Sequence, residues 1–81
     1  MLSEYIDHAL QGAIYAKLED EDAYWGEIPG LQGVWARHAT LPGCRQELRE
    51  ALSDWLGLRL RLGMEIPVIG GIDLNHLSQP V

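Results

Sequence analysis

The longest regular pattern in the chain is TLPGCRQELREALSDWLGLRLRL, residues 40–62. Its apolar residues recur at alternating steps of three and four, the spacing of one helix face. They are Leu41, Cys44, Leu48, Ala51, Trp55, Leu58 and Leu62. Thr40 is a favourable N-cap, and Gly63 followed by Pro67 is typical of a helix end. We therefore predict one long helix over 40–62.

Residues 13–38 alternate with the period of β-strands and predict a three-stranded antiparallel meander. An acidic turn separates the first two strands, and Pro29-Gly30 separates the second from the third. We expect the long helix to cover one face of this sheet, which would hold Ile14, Ala16, Leu18, Tyr24, Gly26, Ile28, Val34 and Ala36.

The two ends of the chain predict smaller elements. Ser3 is a plausible cap for a short helix over 1–12, and residues 63–81 form a tail with a short edge strand near Ile72 to Leu74 and five loose final residues. A chain of 81 residues is long enough for one core only. The prediction is a single α+β domain spanning 1–81.

The same alternation places three large aromatic residues on the sheet face opposite the helix: Tyr15, Trp25 and Trp35. Exposed aromatic surface usually marks an interface, because tryptophan and tyrosine carry much of the binding energy in protein complexes. Alternatively, the N-terminal helix or the tail folds back over this face and buries it.

Charge is unevenly distributed along the chain. The formal net charge is −6, and all of it arises within residues 1–36. Such a protein repels phosphate backbones, so we expect no direct binding of nucleic acid and favour a basic protein partner. Five acids are the candidate contacts for that partner: Glu19, Asp20, Glu21 and Asp22 in the turn, and Glu27.

Residues with catalytic or metal-binding chemistry do not form a recognisable motif. The four consecutive acids point in different directions at a turn, while His8, His38 and His76 are scattered. Cys44 lies on the apolar face of the long helix, where a cysteine behaves as a small hydrophobe. We therefore expect no enzyme activity, no metal and no cofactor.

A nuclease of the ribonuclease-H type is the enzyme class that remains to be weighed. It would need three or four converging carboxylates, and the predicted sheet offers only Glu19, Glu27 and Asp73. The N-terminus lacks the basic and apolar segments of a secretory signal, and no apolar run is long enough to cross a bilayer. We expect a cytoplasmic protein.

Several ordered motifs resemble those of the HicB-like antitoxin family. They are the acidic turn followed by DAYWGEIPGLQG at 22–33, the Thr40-Leu41 opening of a leucine-rich helix, and Glu65-Ile66-Pro67. The resemblance implies a truncated ribonuclease-H-like fold without catalysis, which neutralises a basic HicA-like mRNA interferase toxin by masking its active surface. The chain departs from the family pattern at Gly33-Val34 and at Pro42-Gly43.

Many members of that family carry a C-terminal DNA-binding domain, for which the 14 residues after Pro67 are too few. The leading hypothesis is an acidic antitoxin that contacts its toxin through Tyr15, Trp25 and Trp35, with the five acids pairing with toxin cations. The alternative is an orphan HicB-like domain that has no toxin and forms a homo-oligomer through the aromatic face.

Overall fold

The computed structural model describes residues 2–75, so His76 and the predicted loose end lie outside the described part. The elements in chain order are α1 (Leu2–Gln11), β1 (Ile14–Leu18), β2 (Ala23–Glu27), β3 (Trp35–His38) and α2 (Leu41–Leu62). The three strands form one antiparallel sheet in the order β1-β2-β3, and α2 packs on it. The predicted α+β architecture is confirmed.

Pairing within the sheet decides which side chains face α2. Tyr15 pairs with Gly26, which pairs in turn with Ala36, so the three lie in one row on one face. A Cβ atom on Gly26 would lie 2.9 Å from the ring of Tyr15 and 3.1 Å from the Sγ atom of Cys44 in α2. Tyr15 therefore points toward the helix.

The predicted orientation of β1 is therefore wrong. Ile14, Ala16 and Leu18 lie on the face turned away from α2, whereas the prediction placed them in the core. The physical reason is the missing side chain of Gly26, which leaves a space that the Tyr15 ring fills. Because side chains alternate, fixing Tyr15 on the helix side moves every second residue of β1 to the other face.

Helix α2 begins and ends where its caps predict. The Thr40 hydroxyl accepts a hydrogen bond from the Gly43 amide at 3.1 Å. At the other end, Gly63 adopts φ +68°, its amide bonds the carbonyl of Leu60, and the Met64 amide bonds that of Arg59. This pair of bonds is the Schellman arrangement, which satisfies carbonyls that the last turn leaves open.

The buried face of α2 differs from the predicted one in its second half. Cys44, Leu48, Leu52 and Leu56 are buried, each four residues after the last. Each residue of an α-helix turns the chain by about 100°, so a step of four residues moves the buried side chain about 40° around the helix axis. Consequently Leu58 is 46% and Leu62 61% exposed, although the spacing predicted them in the core.

The packing of helix α1 and of the segment after α2 explains why the buried residues shift around the axis of α2. Tyr5 and Ile6 of α1 join the same core as Ile66 and Leu74. The Tyr5 hydroxyl donates a 2.6 Å hydrogen bond to the carbonyl of Pro67. Within residues 2–75 neither segment buries the tryptophans of the sheet fully, since Trp35 remains 51% exposed and Trp25 is partly exposed.

The predicted edge strand near residues 72–74 is wrong. Ile69 and Ile72 form an isolated bridge around a two-residue turn, in which Gly70 and Gly71 both have positive φ. The side chain of Asn75 then donates to the carbonyl of Ile66 and accepts from its amide, at 2.9 and 2.8 Å. This segment closes the core beside α1 and adds no strand to the sheet.

Candidate partner-binding surface

The sheet has one face that α2 does not cover, which we call the open sheet face. Cross-strand pairing brings together the side chains of β1, β2 and β3 that point away from α2. One row contains Ile14, Glu27 and Trp35. The next contains Ala16, Trp25 and Arg37, and Leu18 follows on β1. The open sheet face is defined by Ile14, Ala16, Leu18, Trp25, Glu27, Trp35 and Arg37.

Two tryptophans form the centre of this face. The rings of Trp25 and Trp35 are stacked, with centroids 4.7 Å apart and planes inclined by 7°. The two residues are diagonal neighbours on β2 and β3, and such an aromatic pair contributes about 0.5–1.5 kcal/mol beyond its buried area. Trp35 and Ile14 are both more than half exposed, at 51% and 56%. The stack is a preformed, rigid apolar surface.

Carboxylates border the tryptophans at two ends. The acidic turn, residues 19–22, is exposed throughout, and Glu27 is exposed between Ile14 and Trp35. The guanidinium of Arg37 pairs with Glu21 at 2.9 Å, with both side chains half exposed. A pair so exposed contributes little to stability. The pair does show that one acid of the turn lies beside the open sheet face.

The loop between β2 and β3 forms a groove beside the stack. Ile28, Leu31 and Val34 are buried and anchor the loop in the core. Residues 27–35 together with Trp25 enclose an open groove of about 440 Å³. The groove places the exposed backbone of the Pro29-Gly30 turn next to the tryptophans. A partner that contacts the stack can therefore also contact the loop.

The prediction that Tyr15 shares this aromatic surface is wrong. Its ring lies on the α2 side, where the guanidinium of Arg45 lies 5.6 Å from the ring centroid. Burial raises the pKa of the Tyr15 hydroxyl, and the charge of Arg45 partly opposes that rise. Its place among the exposed apolar residues is taken by Ile14, which the sequence pattern assigned to the core.

Cys44 is fully buried, and its thiol lies 3.7 Å from the carbonyl of Ala36. Burial raises the pKa of this thiol above its ordinary value of 9.0, and the nearby charge of Glu47 raises it further. The thiolate is the nucleophilic form, so this setting suppresses reactivity. Cys44 acts as part of the core.

Acidic residues do not form a metal centre in the described part of the chain. Among residues 2–75, no three His, Cys, Asp or Glu side chains could together hold a metal ion. Glu19, Glu27 and Asp73, the acids weighed for ribonuclease-H chemistry, therefore do not make such a group.

The helices of the described residues are also too short or too polar to cross a membrane. Neither α1 nor α2 combines the length and apolar character that a bilayer span requires.

The sequence pattern identified the two tryptophans but missed Ile14 and the loop groove. A signal for Ile14 was present in Gly26, because a glycine inside a central strand often marks a neighbouring aromatic ring. The groove had no comparable signal, since it depends on how deeply Ile28 and Val34 are buried.

Comparison with known proteins agrees with this architecture. The crystal structure of TTHA0281 from Thermus thermophilus is similar, with a TM-score of 0.82 and 40% sequence identity over 89% of each chain. No curated protein matches the chain in sequence. A family model described as UPF0150-like matches residues 4–67, which include all three strands and both helices apart from the start of α1. The chain therefore belongs to the UPF0150-like family, a HicB-like family associated with toxin–antitoxin systems.

Proposed function

We propose that the chain is a non-catalytic antitoxin-like domain that binds and occludes a small basic HicA-like ribonuclease toxin. The open sheet face is the contact surface. The observation that carries the proposal is the stacked pair Trp25 and Trp35, which lies on the sheet face that α2 does not cover, with Trp35 51% exposed.

Aromatic geometry favours a protein partner for this face. A stacked pair of tryptophans loses little conformational freedom on binding, because each side chain is already held in place by the other. Ile14 extends the apolar area on one side, and the loop groove extends it on the other. Contact surfaces with an aromatic centre and a polar rim are typical of protein interfaces.

Charge favours a basic partner. The net charge is −6, and the acidic turn together with Glu27 lies beside the tryptophans. Complementary charge speeds the encounter of two proteins and disfavours acidic competitors. A toxin that binds RNA must itself carry cationic surface, and occluding that surface with acids and aromatic rings would block access of RNA.

The test is a binding measurement with the purified product of the adjacent gene, which the proposal expects to be a small basic protein. We expect a stable complex by gel filtration and calorimetry, and inhibition of RNA cleavage by that protein. Trp35→Ala and Trp25→Ala should each weaken binding about 30-fold or more, as expected for central aromatic contacts.

A matched control is Val68→Ala, because Val68 is as exposed as Ile14 but lies outside the open sheet face. This variant should bind like the wild type. Full binding by both tryptophan variants would contradict the assignment of the surface. RNA cleavage by the purified chain alone, in the presence of a divalent metal, would contradict the non-catalytic role.

A further inference from the structure

A second apolar surface lies in the C-terminal half of α2, and Asp54 at its near end also lines a groove with Trp35 and Arg37 of β3. Leu58 and Leu62 are exposed, and they lie on the side of the helix opposite the buried Leu56. Asp54, Gly57 and Arg61 lie on the same side and are also exposed. We call Asp54, Gly57, Leu58, Arg61 and Leu62 the outer α2 face. It shares no residue with the open sheet face.

We propose that two copies of this chain pair through the outer α2 face, with the helices antiparallel about a two-fold axis near Gly57 and Leu58. The partner is a second copy because the face is complementary to itself. A two-fold axis requires each patch to meet the same patch of the other subunit.

Charge is the first self-complementary property. Asp54 lies three residues before Gly57, and Arg61 lies three residues after Leu58. When two helices run antiparallel about the midpoint of Gly57 and Leu58, Asp54 of one copy is level with Arg61 of the other. The symmetry repeats the contact, so the dimer gains two opposite-charge pairs.

The neighbouring arginine behaves differently. The guanidinium of Arg59 lies 4.3 Å from the ring centroid of Trp55, and it also donates to the carbonyl of Glu65 at 2.8 Å. These contacts hold Arg59 beside its own subunit. Arg61 is therefore the arginine of this turn that projects from the outer α2 face.

Shape is the second property. A Cβ atom on Gly57 would meet no other atom within 4 Å, so the helix surface is open at this point. A glycine in the middle of a helix disfavours it by about 1 kcal/mol relative to alanine, yet allows close approach of a second backbone. With the axis near Gly57, the two Leu58 side chains pack against each other beside the place where the backbones approach.

The experiment uses the purified chain alone, with its mass in solution measured by light scattering and its dissociation by analytical ultracentrifugation. The wild type should be a dimer. Asp54→Arg and Arg61→Asp should each weaken the dimer about tenfold or more, since every opposite-charge pair becomes a like-charge pair. The double variant Asp54→Arg with Arg61→Asp should restore dimerisation, because the pairs form again with reversed sign.

Gly57→Gln separates pairing from folding. The longer side chain should raise the thermal stability of the subunit, because glycine is a poor helix former, while it weakens the dimer by filling the gap. Leu58→Glu should abolish the dimer, and circular dichroism should show the helix content unchanged.

Three results would overturn the proposal. They are a monomeric wild type, a double charge variant as weakened as the single variants, and a dimer lost in Trp35→Ala but retained in Leu58→Glu. The last outcome would assign self-association to the open sheet face. None of these results depends on a toxin, so failure here is distinguishable from failure of the proposed function.

Discussion

At the scale of single residues, Gly26 has the largest influence on the surface that the protein presents. Its missing side chain accommodates the Tyr15 ring, and that contact fixes which residues of β1 face outward. The alternation of β1 was visible in the sequence, but alternation alone did not give its phase. Two phases fit the pattern equally well, and only the contact between Tyr15 and Gly26 chooses between them.

Gly26→Ala should destabilise the fold by about 1–3 kcal/mol, because the new methyl group would lie too close to Tyr15 and Cys44. Urea unfolding measures the effect. Gly12→Ala is the matched control, since its new methyl group makes only an ordinary contact at 3.6 Å. Adding Tyr15→Ala to Gly26→Ala should cost less than the two single changes together. A strictly additive double variant would show that the ring does not occupy this space.

Cys44 predicts how stability depends on alkaline pH. Its pKa in the folded protein is raised above its ordinary value of 9.0, so the folded state holds the proton more tightly than the unfolded state. This contribution is present below about pH 9 and is lost as pH rises through the folded pKa. The free energy of unfolding should therefore fall from about pH 8 upward.

Urea unfolding of wild type and Cys44→Ala over this pH range checks the prediction. The variant starts less stable but should lose less stability on the way to about pH 9.5, and the tyrosines, whose pKa is raised by burial, contribute equally to both profiles. Parallel pH profiles for the two proteins would show that the thiol makes no such contribution.

At the scale of elements, helix α2 is the part of the fold that sequence patterns define best. Its ends depend on local groups, namely the hydroxyl of Thr40 and the left-handed backbone of Gly63. Its buried face was predicted less well, because Leu52 and Leu56 are selected by the packing of α1 and residues 66–74. Apolar residues at steps of four and apolar residues at steps of three and four are both present in α2, and only this packing selects between the two faces.

Substitutions at Thr40 test whether local groups define the start of α2. Thr40→Ala removes the acceptor for the Gly43 amide and should destabilise the protein by about 1 kcal/mol. Thr40→Ser keeps the hydroxyl, so its stability should stay close to that of the wild type. Thermal or urea unfolding compares the three proteins. Equal losses in both variants would point to the threonine methyl group rather than to the cap.

The two sides of α2 should respond differently to truncation. Leu52→Ala removes a fully buried side chain and should lower the free energy of unfolding by about 2–5 kcal/mol. Leu58→Ala should change it by about 0.5 kcal/mol or less when measured at low protein concentration, where pairing through the outer α2 face is absent. The helical spacing predicted Leu58, and not Leu52, on the buried face. A larger loss of stability in Leu58→Ala than in Leu52→Ala would therefore support the face predicted from the sequence.

At the scale of the whole molecule, charge and apolar surface are arranged around the sheet. The class of fold followed from the alternation of the strands and the spacing of α2, and the position of both tryptophans followed from the alternation. The loop groove and the exposed end of α2 did not, because both depend on where the chain folds back on itself.

Salt dependence tests the electrostatic part of the proposed function. Association with the basic partner should slow as ionic strength rises, while the dissociation rate changes little, because long-range attraction by exposed acids is screened within about 10 Å at 0.1 M salt. Stopped-flow mixing at several salt concentrations measures both rates. Glu27→Gln should reduce the salt dependence of the association rate. Glu65→Gln removes the same charge beyond the end of α2 and should reduce it less. An association rate that is independent of salt would contradict a role for the acids.

The bond between Tyr5 and Pro67 joins residues that are 62 positions apart. During synthesis helix α1 leaves the ribosome before the other described elements. The Tyr5 hydroxyl cannot reach its acceptor in the folded protein, the Pro67 carbonyl, until Pro67 has emerged. Leu74 and Asn75, which close the same corner of the core, follow later still. The growing chain must therefore expose almost all of residues 2–75 before it can close this core, so the core is expected to form late in the synthesis of these residues.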